Sequence, residues 1–245
     1  MKKSESKNYI FNYNSGSNAE KDIDEIIKLQ ETCHEYICNY LDVKMVSKIN
    51  YYLCNSPEEV GEIYGDNEPC NGLASEPDKV YAVYNDKVKC TGFHEDAHVI
   101  SYNTLGIPPQ TFIREGLAMF FDKGYWGVPN YSWVNFFINR GLYVNIGELI
   151  NKEGFYKHNH IITYTIAGAF VAYIIDIFGV NKFKEFYSSL DNEFEDRFLG
   201  KFKIPLDELE KKFIDYIKVL KTNDQVEEFI RNSLIQMKVI KIEEI

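Results

Sequence analysis

The spacing of apolar residues changes near residue 92, and this change most limits the folds open to the chain. Before that point, short runs of β-branched and aromatic residues alternate with amphipathic helical segments. After it, apolar residues recur almost throughout at helical spacing. The pattern predicts an α+β fold, with a small mixed sheet and helices in the N-terminal part and a mostly helical C-terminal lobe.

The individual elements follow from the same periodicity. Strands are predicted over 9–13, 46–54 and 78–85, and helices over 19–41 and 56–64. The later helices are predicted over 92–103, 109–123, 133–142, 163–178, 181–190, 205–220 and 224–237. We interpret 1–245 as one domain: an α+β lobe over about 1–104, a helical lobe over 105–220 and a helical tail over 221–245. The tail is predicted to pack back on the domain; alternatively, it forms an interaction helix.

Composition excludes several classes of protein. With 245 residues, 45% hydrophobic and 26% charged, the chain is long enough to bury a core without disulfides. Its 27 Lys and Arg against 37 Asp and Glu give a net charge of −10. Nucleic acids and anionic membranes are bound by basic surfaces, so we expect neither as a partner.

The predicted location is cytoplasmic. The five cysteines are scattered and form no C-x-x-C motif, as is typical of reduced thiols. The lysines at the N-terminus are followed by no apolar segment of the kind that a signal peptide requires. The longest apolar stretch, 166–175, is shorter than a membrane span and predicts a buried helix.

A metal-binding pattern begins inside the predicted helix 92–103, where His94, Glu95 and His98 form H-E-x-x-H. Residues four apart on a helix lie about 40° apart around its axis, so both imidazoles can face one metal ion. Glu95 is the next residue around the helix axis after His94, where its carboxylate can reach a water on the metal and take its proton. Zn²⁺ suits such ligands. The alternative is a helix end with two solvated histidines.

The third ligand is predicted to be Glu115, which follows His98 after sixteen intervening residues on the next helix. Gly116 has no side chain, which would allow two helices to cross closely at this point.

Asp122, seven residues further on the same face, is a candidate to accept the free N–H of a metal-bound imidazole. Alternatively, Glu115 pairs with Arg114 or a lysine, and Asp122 solvates the end of the helix.

H-E-x-x-H followed by Glu115-Gly116-Leu117-Ala118 resembles the gluzincin metallopeptidases, most closely the compact group called peptidase MA-like. The similarity spans about 5–218 and includes 164–179 and 199–216. The resemblance implies a zincin-like fold, zinc held by His94, His98 and Glu115, and Glu95 as the general base of peptide-bond hydrolysis. It also implies a sheet edge that takes up an extended peptide, for which the strand 80–85 is the candidate; alternatively that strand is internal.

Two further features bear on the mechanism. Tyr164 opens the segment that is similar to the family's Y-x-x-x-G, and we predict that its hydroxyl stabilises the oxyanion. With 18 tyrosines in the chain, a core or rim position is the alternative. His158 and His160 form an H-x-H pattern in a predicted loop. One of them could donate a hydrogen bond to the oxyanion in place of Tyr164, or the pair could bind a second metal; the alternative is that both are solvated. Larger gluzincins commonly carry Asn before the ligand Glu; Arg114 stands here, so recognition of a free amino end is not supported.

The sequence therefore predicts a zinc-dependent metallopeptidase acting on a peptide or protein. The alternatives are a zinc-binding zincin fold that binds a peptide without cleaving it, a hydrolase of a non-peptide amide or ester, and a metal-free scaffold. The oligomeric state is left open.

Overall fold

The computed structural model describes residues 1–240. Its contacts divide the chain into two compact units, Met1–Ile107 and Pro108–Ile245. The predicted α+β character is confirmed: a small mixed sheet forms in the first unit, and the second is mostly helical. The single domain stays a prediction, and residues 241–245 of the predicted tail lie outside the described residues.

The first unit, all of which is described, alternates strands and helices. Its strands are β1 Lys2–Glu5, β2 Tyr9–Tyr13, β3 Ile49–Cys54, β4 Gly72–Ser75 and β5 Lys79–Val83. Its helices are α1 Asn18–Lys21, α2 Ile23–Leu41, α3 Pro57–Tyr64 and α4 Phe93–Thr104.

The sheet has the order β1-β2-β3-β5-β4. Strands β2, β3 and β5 run parallel, while β1 and β4 pair antiparallel at the two edges. The prediction that the strand over 80–85 forms an edge is therefore wrong, because β5 is paired on both sides. On that side of the sheet the edge is β4, a segment whose Gly72 and flanking prolines are typical of a loop.

The two faces of the sheet carry different aromatic clusters, because successive side chains of a strand point to opposite sides. On one face, Tyr9, Phe11 and Tyr51 pack with ring centroids 5.2–6.2 Å apart, and Tyr9 also meets His34 of α2. On the other, buried residues of β3 and β5 pack with Val60 of α3. A central strand that is buried on both faces has a nearly continuous apolar sequence, as β5 has over 80–83.

The second unit, described through residue 240, is helical apart from one hairpin formed by β6 Gly124–Tyr125 and β7 Val128–Pro129. Its helices are α5 Thr111–Asp122, α6 Asn130–Asn139, α7 Ile146–Ile150, α8 Lys152–Lys157, α9 His160–Phe178, α10 Val180–Ser189, α11 Phe194–Phe202, α12 Leu206–Val219 and α13 Asp224–Gln236.

Helix α9 is the centre of this unit, and α5 crosses it closely. A Cβ atom placed on Gly116 of α5 would lie 2.6 Å from Val171 Cγ2 and 2.8 Å from the carbonyl oxygen of Ala167. The close crossing predicted at Gly116 is thus present, and α9 is the second helix. Because Glu115 is the adjacent residue, this contact sets the depth and rotation of the helix that presents its carboxylate.

Replacing Gly116 with alanine is expected to lower the free energy of unfolding by about 1–3 kcal/mol, the cost of overpacking a core. Gly200→Ala is the matched control, because Gly200 also lies within a helix and a Cβ there would meet nothing within 4 Å. That variant should be neutral or more stable by up to about 1 kcal/mol. Urea denaturation of both variants measures the difference, and equal stabilities would contradict the close crossing.

Among the described residues, α9 is the one helix long and apolar enough to cross a membrane by length and composition. In the structure 72% of the 18-residue apolar stretch of this helix is buried, as in the core helix of a globular protein. The predicted buried helix is thus confirmed, while the cytoplasmic location stays a prediction.

Several elements differ from the predicted ones. The helix over 19–41 is interrupted at Asp22, whose carboxylate accepts hydrogen bonds from Tyr84 and Lys89. Strand β1 was not predicted, because its sequence Lys-Lys-Ser-Glu is polar and its formation depends on pairing with β2. Helices α7, α8 and α11 and the β6–β7 hairpin were also missed, since short elements carry little periodicity.

Candidate metal centre

Helix α4 carries the histidine pair, and its first turn is shaped by Gly92. This N-cap residue has a φ of 132°, in the region that glycine adopts without steric cost. Glu95 and Asp96 lie in the first turn, where negative side chains interact favourably with the helix dipole. The sequence Gly-Phe-His-Glu-Asp thus begins the helix immediately before the first imidazole.

A buried polar network attaches this turn to α2 and β2. The Gln30 side chain accepts from the Gly92 N–H at 2.7 Å and donates to the Gly92 carbonyl at 3.1 Å. It also donates to Asp96 Oδ2 at 2.9 Å, and the Tyr9 hydroxyl donates to the same oxygen. Asp96 is fully buried. These hydrogen bonds hold the start of α4, and with it His94 and His98, in one orientation.

Burial and hydrogen bonding shift the pKa of Asp96 in opposite directions. Burial raises the pKa of Asp96 well above its usual range, while the hydrogen bonds from Tyr9 and Gln30 oppose the shift. The nearby charge of Glu95 raises the pKa further. Burial thus favours the neutral form of Asp96, while its two hydrogen bonds favour the carboxylate.

The two imidazoles of α4 lie next to each other. Their ring centroids are 5.0 Å apart and their planes meet at 81°, with His94 half-buried and His98 only 5% exposed. This is the arrangement that the i, i+4 spacing predicts.

Glu95 lies against the edge strand β4. A Cβ atom placed on Gly72 would lie 2.7 Å from Glu95 Oε1, so the absence of a side chain at this position makes room for the carboxylate. Cys70 is close by, and its thiol donates to the carbonyl oxygen of Gly72 at 2.8 Å. Burial, together with the charge of Glu95, raises the pKa of Cys70. The raised pKa favours the protonated thiol.

Glu115 is half-buried on α5. The adjacent Arg114 donates to the carbonyl oxygen of Pro108 at 2.6 Å and to Thr111 Oγ1 at 3.2 Å. One ligand atom each from His94, His98 and Glu115 lie within 4.8 Å of one another. Within residues 1–240, this is the one group of three such side chains close enough to share a metal ion.

The donor set fits a divalent transition metal. Ligand atoms at 2.0–2.2 Å from a tetrahedral ion are separated by about 3.4 Å. The separations here are at most 4.8 Å, so side-chain movements that bring the ligand atoms closer by up to about 1.4 Å would reach that value. Two imidazoles and one carboxylate are used by Zn²⁺ in hydrolases and by non-haem Fe²⁺ in oxygenases, so the ligands alone do not select the metal.

The other predicted residues are placed as follows. Asp122 is the last residue of α5 and is exposed. Tyr164 lies in the first turns of α9, half-buried, with its ring 5.6 Å from that of Phe155 and 6.4 Å from that of His160. His158 pairs with Glu148 at 2.8 Å. The functional roles of Asp122 and Tyr164 stay predictions.

Sequence reasoning missed the side chains that support the histidine helix. Gln30, Asp96 and Gly72 carry no motif, because their roles depend on contacts with residues far away in the chain. Tyr102 is different: its hydroxyl lies 3.2 Å from His98 Nδ1, and its position four residues after His98 was a detectable signal.

The description of the site rests on the geometry of this chain alone. Comparison with protein-family models, curated proteins and solved structures finds nothing that matches this chain.

Proposed function

We propose that this protein is a zinc-dependent metallopeptidase with a zincin-like fold, of the gluzincin kind. The observation that carries the proposal is the convergence of donor atoms from His94, His98 and Glu115 to within 4.8 Å. Glu95, one residue after the first histidine, adds the carboxylate that distinguishes a hydrolytic site from a simple metal site.

Zinc bound by these residues would lower the pKa of a water to about 7 and polarise the substrate carbonyl. In the proposed mechanism Glu95 takes the proton of the attacking water and passes it to the leaving amine. Its packing against Gly72 favours this role, because a carboxylate held against a strand has few alternative rotamers. The Tyr164 hydroxyl is proposed to donate to the carbonyl oxygen as negative charge builds there.

The proposed substrate is a peptide or protein that pairs with β4. This strand is at the edge of the sheet and contacts α4, and its backbone groups on the side away from β5 are the ones an extended peptide would meet. The peptide-pairing role that was expected for the strand over 80–85 is therefore proposed for β4 instead. A zinc-binding protein that holds a peptide without cleaving it uses the same surface, and a non-peptide amide or ester hydrolase uses the same chemistry.

The test is metal analysis combined with a cleavage assay. We expect the purified chain to contain about one zinc per molecule and to cleave members of a peptide library. A chelator should abolish cleavage, and added zinc should restore it. Zinc without cleavage of any peptide favours the peptide-binding alternative, cleavage of esters or other amides alone favours the non-peptide hydrolase, and iron in place of zinc contradicts the proposal.

A further inference from the structure

Tyr102 lies one helical turn after His98 on α4, and the two side chains are in contact. The Tyr102 hydroxyl is 3.2 Å from His98 Nδ1, and the ring centroids are 5.5 Å apart with the planes tilted by 33°. His98 is only 5% exposed, so water has little access to compete for its ring nitrogens.

This contact bears on which ring nitrogen is available to a metal. An imidazole ligand binds through one nitrogen, and the hydrogen bond made by the other nitrogen determines its tautomer and orientation. The Tyr102 hydroxyl lies at Nδ1, so coordination through the other nitrogen, Nε2, would leave this hydrogen bond in place. Coordination needs a lone pair on Nε2, so the proton must be on Nδ1, from where it is donated to the tyrosine oxygen.

We propose that Tyr102 is a positioning residue that accepts a hydrogen bond from His98 Nδ1–H and thereby keeps Nε2 unprotonated for the metal. The inference rests on the proposed function, since it takes His98 to be a ligand. Tyr102 touches neither the metal nor the substrate in this role; it acts through the tautomer and the orientation of His98.

Tyr102→Phe tests the proposal, because it removes the oxygen and keeps the ring. In the metal-free wild-type chain, ¹⁵N NMR of the histidine rings should show His98 protonated on Nδ1; in the variant the proton should move to Nε2 in a substantial fraction of molecules. Titration with Zn²⁺ against a competing chelator should show about 10–100-fold weaker binding by the variant, the usual effect of losing such a partner.

Tyr156→Phe is the control, because Tyr156 is 61% exposed and lies on α8. It should change neither the His98 tautomer nor the zinc affinity. A merely structural role of Tyr102 would lower thermal stability and leave the tautomer unchanged. The proposal is overturned if wild-type His98 carries its proton on Nε2, or if Tyr102→Phe keeps both the tautomer and the affinity.

The result is separable from that of the proposed function. A wild-type chain that binds zinc and cleaves nothing contradicts the peptidase, while the tautomer and affinity changes still support the role of Tyr102. A wild-type chain that takes up no zinc contradicts both.

Discussion

Replacing Glu95 with glutamine is expected to lower kcat for peptide cleavage by about 10²–10⁴-fold, the range associated with loss of a general base. The zinc content should stay the same, because Glu95 is not one of the three side chains whose ligand atoms converge. The amide has the shape of the carboxylate, so its packing against Gly72 is preserved. What the variant loses is the ability to accept a proton from water.

The measurement pairs kcat with the metal content of the same preparation. Glu62→Gln is the matched control in the same unit, since Glu62 is an exposed residue of α3 and its charge change is identical. We expect that control to cleave at the wild-type rate. Should Glu95→Gln cleave equally fast, Glu95 has no part in the mechanism; should it lose zinc instead, Glu95 is a ligand and the assignment of the site changes.

Glu115→Gln is expected to weaken zinc binding by more than about 100-fold, since loss of a direct ligand should exceed the 10–100-fold effect of losing a hydrogen-bonding partner of a ligand. An amide oxygen carries no net charge and is a poor substitute for a carboxylate on Zn²⁺. Cleavage should fall in proportion to the zinc retained. Competition with a chelator of known affinity gives the dissociation constants of wild type and variant.

The zinc affinities of two further variants provide a comparison for Glu115→Gln. Glu228→Gln, an exposed position on α13, should leave zinc binding unchanged. Asp122→Asn should weaken it by about 10–100-fold if the carboxylate accepts a hydrogen bond from a ligand imidazole, and should have no effect if Asp122 only solvates the helix end. Unaltered affinity in Glu115→Gln would remove Glu115 from the ligand set, leaving a two-histidine site too weak for the proposed enzyme.

Local patterns allowed the candidate site to be predicted more completely than the sheet around it. His94, Glu95 and His98 are separated by fixed helical angles, so their relation follows from sequence spacing alone. Strand β4, by contrast, has a sequence typical of a loop, and its pairing with β5 depends on residues that are brought together only by folding. The prediction of an edge at 80–85 was wrong for this reason: a strand's neighbours are not contained in its own sequence.

The sequence by itself determined the α+β division, the helix that carries two imidazoles and a carboxylate, and the glycine that lets α5 approach α9. Each of these depends on periodicity or on the properties of a single residue. Only the tertiary structure decided that Gln30 and Asp96 anchor the start of α4, that Gly72 makes room for Glu95, and that a Glu115 oxygen lies within 4.8 Å of the histidine ligand atoms. These contacts join residues distant in the chain, and their distances follow from how the core packs.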